Sequence, residues 1–235
     1  MDFHTPAVGC LIFQAVSEWH LGEIASSQVH MDEAISLAKE LNDKNALALA
    51  FNWAVSLGSA ERNPAKVDQL TLDLIELSTR HNVVYFLAVA AIYRGWARSV
   101  SGNTAEGIPW IEQGIRDYRA TGVVLALPHL LTLKAEGLYL AEGTSEALEA
   151  LDEAEALAER FEQRFWCAEL YRLRGVFLTS IGADEVQIEA ALRAAVRTAA
   201  EQKSVSLKKR AEATYAEYRR QKTSGSGGRG FRLPL

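Results

Sequence analysis

Apolar and small residues recur along this chain at the 3.6-residue spacing of a helix face, and the alternation of a half-buried strand never holds for more than a few residues. The pattern predicts eleven helices, over about 6–19, 24–41, 46–57, 64–80, 85–100, 104–120, 128–141, 145–162, 165–180, 186–201 and 205–221. Pro6, Pro64 and Pro128 stand where a first helical turn tolerates a missing N–H. Asn63 before Pro64 reads as an N-cap. Gly102 reads as a C-terminal stop, and Thr104 as the cap of the helix that follows. Pro109 falls early in that helix and predicts a small kink or a late start.

The helices group into units of 40 residues. Ala15, Val55, Gly95, Ala135 and Gly175 mark the first helix of each unit, and Gly22, Gly102 and Gly182 follow three of these markers. A small-x-x-x-large-x-x-small pattern then opens the second helix, as Ser27/Met31/Ala34, Gly107/Ile111/Gly114 and Ala147/Leu151/Ala154. The fifth unit carries it one residue late, as Ile188/Leu192/Ala195, and the second carries a degraded form, Val67/Thr71/Leu74. Such a period, with two helical patterns in it, indicates a repeat array, because one helix pair cannot bury both of its apolar faces. The small markers let the second helix approach closely. A bulky side chain at Gly95 or Gly175 is therefore expected to overpack the contact, at about 1–3 kcal/mol.

This register resembles the tetratricopeptide repeat (TPR), whose unit is about 34 residues long. The aromatic positions of that family are only partly kept: Leu11, Phe51, Ala91, Leu131 and Tyr171 occupy the first of them. The resemblance implies an all-α, right-handed superhelical array of antiparallel helix pairs over residues 1–222. The Gly/Ser-rich basic stretch 223–235 predicts a flexible tail, since it buries too little to offset the entropy of ordering.

Three segments carry a narrower resemblance. They are Arg94-Gly95-Trp96-Ala97, the run from Tyr118 to Gly122, and the run RFWCAELYRLRG from Arg164 to Gly175. They are similar to the C-terminal TPR region of large bacterial signalling proteins. Those proteins join a class III adenylate or guanylate cyclase domain, or a LuxR-type DNA-binding domain, to a STAND-type predicted ATPase. The resemblance runs from about His4 to Gln221 and implies the sensor or scaffold end of such a protein. No G-x-x-x-x-G-K-[ST] loop is present to cradle phosphates, and the glycines at 227–230 have no helix after them. Cyclase or ATPase chemistry is therefore not expected of these residues.

Composition adds little to the fold but something to the surface. The 235 residues are 49% hydrophobic, enough for a folded protein. From Lys203 onward nine Lys/Arg outweigh two Glu, so the net charge of −5 divides into −12 before that point and +7 after it. Cys10 and Cys167 lie far apart without metal-ligand spacing and read as free thiols of a reducing compartment. The opening MDFHTPAVGC lacks the basic n-region of a signal peptide, and the longest apolar stretch, about 83–92, is too short to span a bilayer. A cytoplasmic location away from membranes is the expectation.

His4, His20, His30, His81 and His129 fall at unrelated helical positions, with no H-x-x-x-H or H-E-x-x-H pair. Asp152, Glu153, Glu155, Glu159 and Glu162 read as the solvated face of the eighth helix. No Ser or Cys stands beside a base in a catalytic context. No catalytic residue, metal ligand or cofactor is expected, which leaves binding. Candidate contacts in a concave groove are Asn52, Trp96, His129, Glu136, Glu169 and Arg172. Arg94, Lys134 and Arg174 recur at the repeat period beside the markers. They either pair with carboxylates such as Asp117, Glu136 or Glu169, or form a basic ladder for an acidic partner.

These observations favour a non-catalytic protein-recognition or scaffold module with a protein or peptide partner in the groove. Three other readings stay open. One is a small-molecule-sensing array with a pocket around Trp96. A second, weaker reading is salt-sensitive nucleic-acid contact through Lys203–Arg232, where Lys208, Lys209 and Arg210 interleave with Ala211, Ala213 and Tyr215. A third is an enzyme, which needs a catalytic constellation that the sequence does not show. Self-association, as a homodimer, is open as well, because Val8, Leu11, Ile12 and Val16 of the first helix need cover from the chain or from a second copy.

Overall fold

A computed structural model of the chain describes residues 4–223. In order the helices are α1 (His4–Leu21), α2 (Ile24–Glu40), α3 (Lys44–Ala60), α4 (Pro64–His81), α5 (Val84–Val100), α6 (Thr104–Ala120), α7 (Leu127–Leu140), α8 (Thr144–Arg160), α9 (Cys167–Ser180), α10 (Glu185–Glu201) and α11 (Val205–Thr223). The described residues hold no strand. Residues 224–235, most of the predicted tail, lie outside the described residues, and α11 runs on through Thr223.

The 40-residue period comes from helix length plus turn length. α2, α3, α5, α6, α8 and α10 are each 17 residues long, and three-residue turns follow α2, α3 and α5. Each turn holds a left-handed residue: Gly22, Asn42, Arg62, Asn82, Gly102, Gly122, Glu142, Glu162, Gly182 and Lys203 all have positive φ. These positions are 20 residues apart up to Gly182, and 21 apart at the last step. The extra residue lies in the turn before α10, which is why the fifth unit carries its pattern late.

The turn hydrogen bonds explain how so few residues reverse the chain. Gly102 N–H donates to the Ser99 carbonyl at 3.0 Å, and Asn103 N–H to the Arg98 carbonyl at 2.9 Å, which satisfies two carbonyls at the helix end. The second of these turn residues then starts the next helix. Asp43 accepts from Asn45 and Ala46 N–H, Asn63 from Lys66 N–H, and Asn103 from Glu106 N–H. The cap of α6 is therefore Asn103, and Thr104 is already its first helical residue. α6 starts at Thr104 with Pro109 inside it, so the expected late start does not occur.

A left-handed residue with a side chain carries a steric cost that glycine avoids. Glu142 (φ 65°) occupies the position that Gly102 and Gly182 fill in neighbouring units. Glu142→Gly is expected to stabilise the protein by about 0.5–1 kcal/mol, seen as a rise of about 2–4 °C per kcal/mol in a calorimetric Tm. A fall in Tm would show that the turn does not limit stability there.

α7 and α9 depart from the rule. Both have 14 residues, and α9 starts at Cys167 where the periodicity predicts Phe165. The chain before α7 is held instead by a side chain from the segment before α9, nearly one repeat along. Gln163 Oε1 accepts from Ala126 N–H at 2.8 Å, and its Nε2 donates to the Val124 carbonyl at 3.0 Å. Gln202 Nε2 likewise donates to the Arg164 carbonyl before α9.

The chain divides into two compact units between Val123 and Val124. In the first, α1 pairs with α2, α3 with α4 and α5 with α6, while α1 touches α3 and α3 touches α5. In the second, α7 pairs with α8 and α9 with α10, α7 touches α9, and α11 packs on α9 and α10. The second-helix seam is buried even where its sequence is degraded: Val67, Thr71 and Leu74 are 0% exposed. In α1, Val8, Ile12 and Val16 are buried within the chain, Leu11 is half-buried and Phe13 is exposed.

At the described glycines, the closest backbone approach is between α5 and α6. A Cβ on Gly107 would stand 2.4 Å from the Gly95 carbonyl oxygen, and one on Gly95 2.5 Å from the Gly107 carbonyl oxygen. At Gly175 the equivalent neighbour is a side chain, Leu192 Cδ2 at 2.5 Å.

Candidate functional site

Of the candidate residues of the second unit, Glu169 and Arg172 of α9 meet in a buried polar cluster with residues of α11. Glu169 and Arg172 sit one turn apart on α9, the i,i+3 spacing that lets the two side chains touch. Arg172 donates from Nε to Glu169 Oε2 at 3.0 Å and from Nη2 to Oε1 at 2.7 Å, a bidentate pair. Its Nη1 reaches Thr214 Oγ1 of α11 at 3.3 Å, and Arg210 of α11 lies 3.6 Å from Glu169. Arg172 is 1% exposed, Glu136 2% and Glu169 7%.

His129 of α7 stacks on Trp166, with ring centroids 4.5 Å apart and planes 18° from parallel. Burial pushes its pKa down to about 4, while the nearby Glu169 and Glu136 charges pull the other way. The unfolded side chain takes up a proton near pH 6.5 and the folded one only near 4, so stability falls as pH drops through that window. The slope from one such group is at most about 1.4 kcal/mol per pH unit. His129→Phe keeps an aromatic ring on Trp166 and is expected to flatten the urea-measured stability profile between these pH values. An unchanged slope would place the acid sensitivity elsewhere, for instance at His20, which burial also pushes down to about 4.

Two of the three recurring basic residues, Arg94 and Arg174, pair with carboxylates, though not with the ones named from the sequence. Arg94 Nε lies 3.3 Å from Asp68 of α4, and its guanidinium covers Trp110 at 5.0 Å. Arg174 meets Asp152 at 2.5 Å and Glu155 at 2.8 Å, both on α8. These carboxylates lie on the preceding second helix, so Asp117, Glu136 and Glu169 are not the partners of Arg94 and Arg174. Lys134 and Asn52 are half-buried. Trp96 is 0% exposed and lies under the Arg62 guanidinium at 5.3 Å, inside the core of the first unit.

Sequence reasoning missed Asp68, Trp110, Arg210 and Thr214. Only the Glu169/Arg172 spacing carried a local signal; the others pair across 16 to 42 residues of chain.

The chemistry open to these groups is narrow. Arg172 is held by Glu169, and Arg174 by two carboxylates. Burial pushes the Cys167 thiol pKa up, which lowers its thiolate fraction. No group of three or more His, Cys, Asp and Glu residues among the described residues is placed to hold a metal ion. No described helix is long and apolar enough to cross a membrane. An open cleft of about 570 Å³ lies against α1 and α2, lined by Leu11, Val29 and Leu37 with Asp32, Glu33 and Glu40.

No known family profile matches the chain. A protein of Rhizobium meliloti (strain 1021), described as uncharacterized protein R02095, is 24% identical over 203 residues; these cover 86% of this chain and 20% of the relative. The chain thus spans about a fifth of the length of that relative. Among solved structures it is similar to Bacillus thuringiensis PlcR, determined in complex with the peptide PapR7 and DNA, at TM-score 0.70 and 17% identity over 88% of this chain and 74% of that one. It is also similar to aspartyl phosphate phosphatase F from Bacillus subtilis, at TM-score 0.62 and 11% identity over 100% of this chain and 65% of that one. The descriptions of the relative and of the two structures name no cyclase or STAND-type ATPase. What these similarities establish is an all-α, TPR-like helical repeat array.

Proposed function

We propose that the chain is a non-catalytic recognition module that binds a protein or peptide segment as part of a bacterial regulatory system. The observation that carries this reading is the array of preformed helix pairs, similar over 88% of the chain to a protein solved with a bound peptide. Preformed helices reduce the ordering cost of association. The buried candidates His129, Glu136, Glu169, Arg172 and Trp96 act in this reading as supports that fix helix positions, and contact falls to exposed residues. The pocket around Trp96 that a small-molecule sensor calls for finds no support in the burial of that side chain.

The test is selection of displayed peptides on the intact protein. Recovered sequences are expected to bind reversibly with Kd in the micromolar range. Failure of every enriched sequence to bind tighter than about 1 mM would sink the reading.

A place beside or within a larger cyclase or ATPase regulator is the finer part of the proposal. The resemblance of the Arg164–Gly175 run supports it, as does the roughly fourfold length of the rhizobial relative, of which the 203 matched residues are 20%. A neighbouring reading frame encoding such a domain is the expected finding; unrelated neighbours would remove it.

A further inference from the structure

The connections leading into α7 and α9 are six residues long, against three into α3 and two into α5. Their extra length is pinned. Gln163 holds the Val124 carbonyl and the Ala126 N–H, and Gln202 holds the Arg164 carbonyl. The turns before α7, α9 and α11 are thereby stitched side by side into one edge of the second unit. Where solvent reaches it, that edge is apolar: Val124, Leu125, Phe161, Phe165 and Val205 are all exposed, Leu125 by 66% and Phe165 by 44%. Arg164 and Phe165 open the run RFWCAELYRLRG, yet they stand outside both the helix and the core. Neighbouring apolar side chains displayed on a fixed backbone mark an interaction surface. A further helix pair stacks on the faces of its neighbours, so the exposure of this turn edge does not depend on what adjoins the array.

We propose that this edge binds a short extended segment of a partner protein, one in which carboxylates flank aliphatic or aromatic side chains. The inference rests on the recognition reading above and names its surface and partner class. The charges of the edge select the carboxylates. Arg160, Arg164 and Lys203 are exposed and enter no ion pair among the described residues, and Arg160 lies over the Phe161 ring at 5.2 Å. Of the carboxylates nearby, Glu201 is taken up by Arg197 at 3.9 Å, and Glu159 acts on Cys167 and Tyr171. Glu162 is left in the same turn, so the cations are in excess. Three neighbouring turns, at roughly 10 Å per packed helix, span about 20 Å, the reach of about six extended residues. A second copy of the edge would set cation against cation. Val124, Leu125 and Val205 offer no ring for a nucleic-acid base to stack on, and Glu162 beside Phe161 disfavours burial in a bilayer.

Random peptides displayed on phage and selected on the intact protein supply the probe. Enriched sequences are expected to combine Asp or Glu with Leu, Ile or Phe. Labelled synthetic copies should lose affinity about tenfold or more in Leu125→Glu, and separately in Arg164→Glu with Lys203→Glu. Tm should not change in either variant, because these positions are exposed and glutamate already holds the left-handed turn conformation at Glu142 and Glu162. Binding should also weaken as salt is raised, since the charged contacts lie at the surface. Enriched peptides that bind both variants as tightly as the parent overturn the proposal and leave the recognition reading standing on another surface. Failure of every enriched peptide to bind tighter than about 1 mM removes both. Oligouridylate or phosphatidylserine vesicles that bind more tightly than the peptides and are lost in the same variants overturn the proposal in favour of another occupant, as does a dimer that Leu125→Glu dissolves.

Discussion

Gly107→Ala is expected to destabilise the protein by about 2–3 kcal/mol, while Gly175→Ala changes stability by less than about 1 kcal/mol. The two substitutions add the same methyl group where a first and a second helix of a pair meet, yet they meet different neighbours. At Gly107 the new Cβ stands 2.4 Å from the Gly95 carbonyl oxygen, 2.2 Å from Ser99 Oγ and 2.9 Å from Ser99 N. Two of those three atoms are backbone, so α5 and α6 have to separate along their whole contact. At Gly175 the atoms met are Leu192 Cδ2 and Cγ, at 2.5 and 2.6 Å, with the nearest backbone atom at 3.5 Å. A leucine can move by changing rotamer, and helix propensity gained over glycine, about 1 kcal/mol, offsets much of the strain. Urea melts of both variants measure the difference. Equal losses would mean that the Leu192 side chain is as fixed as backbone, and no loss at Gly107 would mean that the α5–α6 contact is looser than its atoms indicate.

The markers Gly95 and Gly175 look equivalent in the sequence, and their period is a property of local pattern. The array was legible for that reason: helix length, turn length and the small seam all act within 40 residues. The late start of α9 was not, because it depends on Gln202, 38 residues on, binding the Arg164 carbonyl. Nor was the left-handed role of Arg62 and Glu142, since the sequence signal for such a turn is glycine, and these turns persist without it. The candidate site was legible in membership but not in exposure. His129, Glu169 and Arg172 do lie on first helices, but α9 and α11 pack closely enough to bury the pair between them. Burial of a charged residue depends on a partner such as Thr214, 42 residues away, which no local pattern announces.

That partner makes the second large effect predictable. Arg172→Met is expected to cost about 3–5 kcal/mol, because it leaves the Glu169 carboxylate, 7% exposed, without its bidentate partner. Arg210 at 3.6 Å offers only partial compensation from a side chain that is 21% exposed. Adding Glu169→Leu removes the stranded charge, and the double variant is expected to recover to within about 1–2 kcal/mol of the parent, or to exceed it. The double-mutant cycle therefore measures coupling, and strict additivity of the two single losses would show that the ion pair does not act as a unit. Amide exchange adds a spatial readout. Arg172 reaches Thr214 and Arg210 reaches Glu169, so the single Arg172→Met variant should expose α11 amides preferentially over those of α8. Uniform loss of protection would mean that the pair supports the whole second unit rather than the seating of α11. In the first case the buried salt bridge sets the position of α11 on α9, and the internal electrostatic contact holds the last described helix of the array.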